Sequence, residues 1–322
     1  MAPKYKFLFV PDFFIKYEEE AKKYQGGKII TQPQLGILTQ DYGPVDEEPA
    51  TFTNRPQWAR FAEHVKNLNE TCGDGVSYKL FYLIRHGIGV HNVVMEAVGS
   101  EAWRTKFSML DGARPDEVNL KDTSLTHDGK LMWVDALLVE DGIAQAKELA
   151  ETWMKVTKID EMPLPQSIYT SPLARCLETT KLVYEPVMAQ QNSELHPIVK
   201  EALRERLTNH TCDKRRSRSW IEKHYPNYII EPGFTENDNL WKANEAPETE
   251  AQHIERKRSL LEDIFEHDDA QFISLTTHSY AISAILAVVG APKFRVSESV
   301  LVPLFIKAKR IPPVDAIDIK SS

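Results

Sequence analysis

One short apolar segment constrains the fold of this chain more than any other feature. Residues Leu80–Ile84 form an uninterrupted apolar run that ends abruptly on Arg85, His86 and Gly87. Such a run predicts a strand that is buried on both faces of a sheet. Open α/β sheets bind ligands beyond the carboxyl ends of their strands, where this arginine and histidine lie. A guanidinium can hold two oxygens of an oxyanion, and an imidazole beside it can act as a nucleophile.

Two later segments repeat the pattern of a strand followed by polar residues. Residues 168–170 read as a strand, and a helix is predicted to begin at Pro172 with Ser171 as its N-cap. This places Arg175 in the first helical turn. Near the C-terminus, His278 stands between an apolar strand and an apolar helix. If the three strands are parallel, their ends form a cationic pocket for one tetrahedral dianion.

The alternation of strands and helices predicts an α/β fold with three layers, in which helices cover both faces of a mostly parallel central sheet. Apolar residues at helical spacing predict an amphipathic helix over Pro56–Leu68 that packs on the main domain. Residues 32–49 are rich in Gly, Pro and Asp and are predicted to form a surface loop. Pro186 is predicted to stop the helix that carries Arg175.

The three motifs together resemble those of the histidine phosphatase superfamily, branch 1, the phosphoglycerate-mutase-like enzymes. Residues 85–87 match the hallmark Arg-His-Gly, and Asn92 matches the asparagine that follows it. Residues 171–179 match the pattern Ser-Pro-Leu-x-Arg-x-x-x-Thr, and His278 matches the late histidine. More narrowly, the chain is similar to the fungal phosphomutase-like proteins, whose N-terminal segment is longer than usual.

The resemblance implies a phosphoglycerate-mutase-like fold and a role for each matching residue. His86 would be the nucleophile and form a phosphohistidine that water later cleaves. Arg85 and Arg175 would hold the non-bridging oxygens of the phosphoryl group, and Asn92 would donate one more hydrogen bond. His278, protonated beside the dianion, would donate a further one.

A leaving alkoxide also needs a proton, so the site requires a general acid. The family places a glutamate after the third core strand, and the Leu-Arg-Glu-Arg sequence at 203–206 favours Glu205, with Glu201 as the alternative. The pKa of this glutamate has to rise through burial or through the charge of the substrate. His91 is adjacent to the matching residues, and it either lines the site or has a structural role.

The favoured function is a metal-independent phosphatase that hydrolyses a small phosphomonoester. Mutases of this branch usually carry Ser and Trp shortly before the asparagine, where this chain has Gly89, Val90 and His91. A phosphomutase that returns the phosphoryl group to its substrate is one alternative, and a non-catalytic phosphate-binding protein is another. No cofactor is expected, and no metal, because the pocket is cationic and no carboxylate cluster is evident.

Composition limits the partners and the location. The formal net charge of −8 disfavours nucleic acid and anionic membranes as partners, and no signal peptide or membrane span is recognised, so a small phosphorylated metabolite is expected. Three widely spaced cysteines indicate reduced thiols and hence the cytoplasm, with the nucleus as a second location. The sequence does not indicate an oligomeric state.

The chain is predicted to consist of an N-terminal extension, residues 1–77, packed on a phosphatase domain at 78–322. A polar insertion at about 207–269 interrupts this domain and contains the basic residues 214–216 and 218. In such folds, insertions over the rim of the sheet often set ligand selectivity. Arg215 and Arg216 are therefore expected to meet a second anionic group of the substrate, or else the basic run is a solvated face.

Overall fold

A seven-stranded sheet forms the centre of the protein in a computed structural model, which describes residues 4–42, 55–120 and 126–312. From edge to edge its strands are β1 (Tyr5–Phe9), β12 (Leu301–Arg310), β3 (Val76–Arg85), β10 (Phe272–Thr277), β7 (Ser167–Thr170), β8 (Ile198–Val199) and β9 (Ile229–Ile230). Five adjacent strands are parallel to one another, namely β3, β10, β7, β8 and β9. Strand β12 is antiparallel to both of its neighbours. The predicted mostly parallel sheet is confirmed.

The helices lie on both faces of this sheet. In chain order they are α1 (Tyr17–Glu20), α2 (Gln57–Thr71), α3 (Val90–Val98), α4 (Ser100–Thr105), α5 (Glu140–Asp160), α6 (Ala174–Ala189), α7 (Arg218–His224), α8 (Glu250–His267) and α9 (Ser279–Val289). Helix α5 packs against α6 and α2, while α8 packs against α9. None of the described helices combines the length and the apolar composition that a membrane span requires.

Successive side chains of β3 reach the two helical layers in turn. The Tyr82 ring packs edge-on against Trp153 of α5 with 4.8 Å between the centroids. The preceding Phe81 contacts Phe265 of α8 on the opposite face, at 5.9 Å. Because neighbouring residues of a strand point to opposite faces, this alternation requires helices on both sides of the sheet. The apolar run of β3 is therefore buried on both faces, as predicted.

The N-terminal region contributes to the sheet as well as packing on it. Strand β1 is the edge strand beside β12, and α2 packs on β3 with Trp58 and Phe61 buried, so the predicted helix is confirmed. The predicted loop at 32–49 is wrong for its first part, because Leu35 and Tyr42 are buried in the core. Residues 43–49 lie outside the described residues.

The region at 207–269 also reaches the core. It contributes β9 to the sheet, and α8 buries Leu261 and Ile264. The prediction that Pro186 stops α6 is wrong, since the helix continues to Ala189 and buries Val187 in its last turn. Small peripheral strands complete the described structure: β2 (Lys28–Ile29) pairs with β11 (Arg295–Val296), and β6 (Lys130–Met132) pairs with β4 (Gly112–Ala113) and β5 (Thr126–His127).

Candidate active site

The parallel register of the central strands brings the predicted strand ends together. Arg85 of β3 lies opposite Thr277 of β10, and the backbone N–H of His86 donates to the Thr277 carbonyl at 3.0 Å. Strand β7 follows on the other side of β10, with Thr170 opposite Thr276. The residues that come after each strand therefore share one rim of the sheet.

His86 is a buried and neutral imidazole with a defined tautomer. Its Nδ1 lies 2.7 Å from the Gly87 carbonyl and therefore carries the proton, while Nε2 accepts a hydrogen bond from Arg175 Nε at 3.2 Å. Burial lowers the pKa of His86 well below its usual value, and the charges of Arg175 and Arg85 lower it further. The ring thus presents an unprotonated nitrogen to the cationic pocket, which is what a nucleophile requires.

Arg175 connects the two histidines of the site. Besides His86, its guanidinium contacts His278 Nδ1 at 3.2 Å. It also donates to the Cys212 carbonyl at 2.6 Å and to Asp213 Oδ1 at 2.8 Å. Residues 212–213 belong to the region that follows β8, so that region helps to orient the guanidinium.

His278 is held on both of its ring nitrogens. Because Nδ1 faces an Arg175 donor, the proton lies on Nε2, which donates to Ser171 Oγ at 2.9 Å. Burial lowers the pKa of His278 well below its usual value, and Arg175 and His86 act in the same direction. A protonated His278 was expected, but its surroundings oppose the second proton. In this structure His278 is a neutral imidazole that donates from Nε2.

Arg85 and Asn92 each keep unused hydrogen-bond donors. Arg85 Nη1 donates to the Val296 carbonyl and Nη2 pairs with Glu298, both at 2.8 Å, whereas its buried Nε has no partner among the described residues. Asn92 Oδ1 accepts the Gly89 N–H at 3.0 Å at the start of α3. This contact fixes the carboxamide and leaves its NH₂ group to donate.

The two candidate general acids have different surroundings. Glu201 lies between Arg215 Nε, 2.6 Å from its Oε1, and Arg204 Nη1, 3.2 Å from its Oε2, so both oxygens are engaged in ion pairs. Glu205 Oε2 accepts the backbone N–H of Tyr280, in the helical turn that follows His278. Burial raises the pKa of Glu205, and the carboxylate of Asp213 raises it further. The geometry favours Glu205.

A pair of cations on α8 fixes the segment that carries Glu205. The buried Lys257 ammonium donates to the carbonyls of Ala202 and Arg204, both at 2.6 Å. Its neighbour Arg256 donates to the same two carbonyls and to that of Glu205. The backbone that carries Glu205 is therefore held by hydrogen bonds at three carbonyls, those of Ala202, Arg204 and Glu205.

Arg215 and Arg216 do not behave alike. The buried Arg215 directs every guanidinium nitrogen to protein acceptors, Glu201 among them, and lies over the Phe234 ring at 4.0 Å. Those contacts use its donors, so none is left for a second anionic group of the substrate. Arg216 is partly exposed and stacks over Trp220 at 4.7 Å. Its Nε lies 3.9 Å from Asp135 Oδ2 and has no hydrogen-bond partner among the described residues.

The start of α6 differs from the prediction. The helix begins at Ala174 rather than at Pro172, and the Ala174 N–H is accepted by Asp135 Oδ1 at 2.9 Å. Burial raises the pKa of Asp135 to about 6. Because a carboxylate from a distant segment caps the helix, the Ser171 hydroxyl is available to His278.

Sequence reasoning also missed two residues that orient the site. Thr179 Oγ1 accepts the Gly87 N–H at 3.1 Å and thereby fixes the turn after His86; it is the final residue of the matching motif, which was the available signal. Asp213 had no such signal. With His210 and Cys212 it forms a group whose ligand atoms lie within 4.8 Å of one another, but a cation there would compete with Arg175 for the carboxylate.

This chain is similar to several known proteins. The family model for the histidine phosphatase superfamily (branch 1) matches residues 123–295. A "Probable phosphoglycerate mutase" of Arthroderma benhamiae is 37% identical over 309 residues, covering 95% of this chain and 86% of the relative. A "Phosphomutase-like protein 3" of Candida albicans is 29% identical over 71% of this chain and 65% of the relative. The solved structure "Mycobacterial hydrolase 1" has 18% identity and a TM-score of 0.41, covering 73% of this chain and 97% of that one.

Proposed function

Because the chain belongs to branch 1 of the histidine phosphatase superfamily, whose members are phosphatases or mutases that transfer phosphoryl groups through histidine, we propose that it is a phosphatase. Its substrate would be a small phosphomonoester, and its intermediate a phosphohistidine at His86. The observation that carries this proposal is the tautomer of His86. The Gly87 carbonyl holds the proton on Nδ1, so Nε2 is left as the attacking atom beside two guanidinium groups.

The proposed reaction has two steps. In the first, His86 Nε2 forms a bond to phosphorus, the bond from phosphorus to the leaving oxygen breaks, and Glu205 protonates that oxygen. In the second, a water oxygen attacks phosphorus, the N–P bond breaks, and the Glu205 carboxylate accepts the proton of the water. Arg85 and Arg175 would stabilise the charge on the non-bridging oxygens in both steps.

The two guanidinium groups of the pocket support a reaction without a metal or cofactor. Phosphoryl transfer needs positioning and charge neutralisation, which two buried guanidinium groups can supply. They also disfavour a divalent cation in the same pocket.

All three cysteines are free thiols, which agrees with a location in the cytoplasm or nucleus.

A mutase is the second candidate, because the relative from Arthroderma benhamiae is named as a phosphoglycerate mutase. Against it stands the segment before Asn92, where Gly89, Val90 and His91 replace the Ser and Trp that are usual in the mutases. We therefore place hydrolysis first.

The test compares hydrolysis with isomerisation. Wild-type protein is incubated with EDTA and either p-nitrophenyl phosphate or 3-phosphoglycerate, with and without 2,3-bisphosphoglycerate, and the products are followed by ³¹P NMR. Release of inorganic phosphate and an acid-labile phosphoprotein, both lost in His86→Ala, are expected. Formation of 2-phosphoglycerate without phosphate release would establish the mutase instead. Absence of both reactions across a panel of phosphomonoesters would favour a non-catalytic protein.

A further inference from the structure

A third histidine lies next to His86 and has no part in the proposed reaction. His91 is the second residue of α3, directly before Asn92. Its ring lies 5.7 Å from the His86 ring, centroid to centroid, at an interplanar angle of 50°. The residue is only 9% exposed. A buried polar ring in this place needs a physical account.

The two ring nitrogens of His91 have different surroundings. Nδ1 is buried without a partner among the described residues. It lies over Gly89, where a Cβ would come within 2.9 Å of it. Nε2 makes no hydrogen bond to the described residues and is not among the buried unpaired atoms, so it is the nitrogen that keeps access to solvent.

These surroundings determine where the proton lies. An orphaned buried N–H is rarer in proteins than an orphaned lone pair, so Nδ1 is the unprotonated nitrogen and Nε2 carries the hydrogen. Burial lowers the pKa of His91 well below its usual value, and Arg175 and Arg85 reinforce this effect, so the ring carries no second proton. The accessible edge of His91 is therefore a neutral N–H donor.

We propose that His91 contacts the substrate of this site, donating its Nε2–H to a non-bridging oxygen of the phosphoryl group that His86 attacks. This proposal rests on the proposed function above. A phosphorus atom poised for attack lies about 3–3.5 Å from His86 Nε2, and a donor needs about 2.7–3.1 Å to reach an oxygen bound to that phosphorus. An oxygen that satisfies both distances would lie between the two rings, whose centroids are 5.7 Å apart.

The same tautomer excludes a different role. A general base would need a lone pair toward the pocket, whereas the lone pair of His91 points toward Gly89. The residue therefore adds a donor to the pocket without adding a third positive charge beside Arg85 and Arg175. Gly89 is part of the arrangement, because any side chain there would collide with the His91 ring.

The test uses three substitutions that separate a donor at Nε2 from packing. The amide nitrogen of His91→Gln reaches the place of Nε2, that of His91→Asn reaches the place of Nδ1, and His91→Phe has no donor. The matched control is His64→Gln on α2, where the His64 ring packs against the Phe13 and Tyr42 rings. For each variant, kcat/KM is measured with p-nitrophenyl phosphate, and vanadate and inorganic phosphate binding is measured by calorimetry.

His91→Phe and His91→Asn are expected to lower kcat/KM by roughly 100-fold, the scale for one donor to a transition-state oxyanion. Vanadate binding should weaken more than phosphate binding. His91→Gln should stay within about 10-fold of wild type, and the control should not change. A normal His91→Phe, or equal rates for the Asn and Gln variants, would overturn the proposal.

The two binding measurements separate this proposal from the proposed function. If wild type hydrolyses no phosphomonoester but binds vanadate in a manner that depends on His91, the phosphatase reading fails and the contact stands. If hydrolysis is efficient and unaffected in all three His91 variants, the phosphatase reading stands and the contact is wrong. Circular dichroism of each variant establishes that the fold is intact.

Discussion

Replacing Arg175 with methionine tests whether stability and chemistry depend on the same contacts. Methionine keeps most of the side-chain volume but removes the guanidinium. The Asp213 carboxylate then loses the partner that lies 2.8 Å away, in a pair whose side chains are 2% and 9% exposed. Breaking a buried ion pair from one side costs about 3–5 kcal/mol, because the remaining charge stays buried without compensation. We expect a loss of that size in the free energy of unfolding.

The second substitution, Asp213→Asn, locates the origin of that cost. In the wild-type background this change also breaks the buried pair from one side, so the expected loss is about 3 kcal/mol, the low end of that range because an asparagine oxygen still accepts from Arg175. In the Arg175→Met background the same change removes the stranded charge. The double variant should therefore recover roughly 2 kcal/mol relative to the single one. Urea unfolding followed by tryptophan fluorescence gives all four corners of this cycle.

Activity should not follow stability in this series. Arg175 is also the donor to His86 Nε2 and a contact of His278, and the stabilised double variant lacks both. Its kcat/KM with p-nitrophenyl phosphate should remain roughly 10² or more below wild type. If Arg175→Met loses less than about 1 kcal/mol, or if Asp213→Asn restores nothing, the pair with Asp213 is not what holds the guanidinium.

Three further outcomes are expected. The active form needs a neutral His86 and a protonated Glu205. Because burial lowers the pKa of His86, log(kcat/KM) should stay high below pH 6.5, the usual pKa of histidine. It should fall as the pH rises through the elevated pKa of Glu205, and Glu205→Gln should remove that fall. Glu205→Gln should slow alkyl phosphates far more than p-nitrophenyl phosphate, whereas Glu201→Gln should mainly lower the unfolding midpoint. Arg216→Ala should raise KM for substrates with a second anionic group, whereas Arg215→Ala should destabilise the fold. If KM for both kinds of substrate stays at the wild-type value in Arg216→Ala, that cation is only solvated.

The sequence allowed the order of the central elements to be predicted because that order follows from local patterns. The apolar run before Arg85 and the one before His278 each read as a buried strand, and both are strands of the parallel sheet. Their pairing, with Arg85 opposite Thr277, follows from the tendency of parallel strands to end at one rim. Residues directly after a strand were therefore the easiest part of the site to identify.

The errors have a common physical origin, because they concern contacts between residues that are distant in the sequence. Ser171 was a good N-cap by local rules, but Asp135 occupies that place from another segment, and no local pattern reveals it. Pro186 is unfavourable inside a helix, yet the burial of Val187 and Met188 in the core offsets the lost hydrogen bond. Arg215 was expected to meet either the substrate or solvent, and only the fold shows the carbonyls and the Glu201 carboxylate that enclose it.

Contacts between residues that are distant in the sequence also explain how this pocket can be cationic and still contain neutral histidines. Arg85 and Arg175 each have a carboxylate on one edge, Glu298 and Asp213 respectively, so burial does not leave them unpaired. Burial keeps the His86 imidazole unprotonated, and the positive charges of Arg175 and Arg85 reinforce this effect. A dianion that enters from the rim would bind to charges already oriented, and the nucleophile would need no deprotonation. The motif residues thus carry the proposed chemistry, while acids that no motif marks orient the two guanidinium groups.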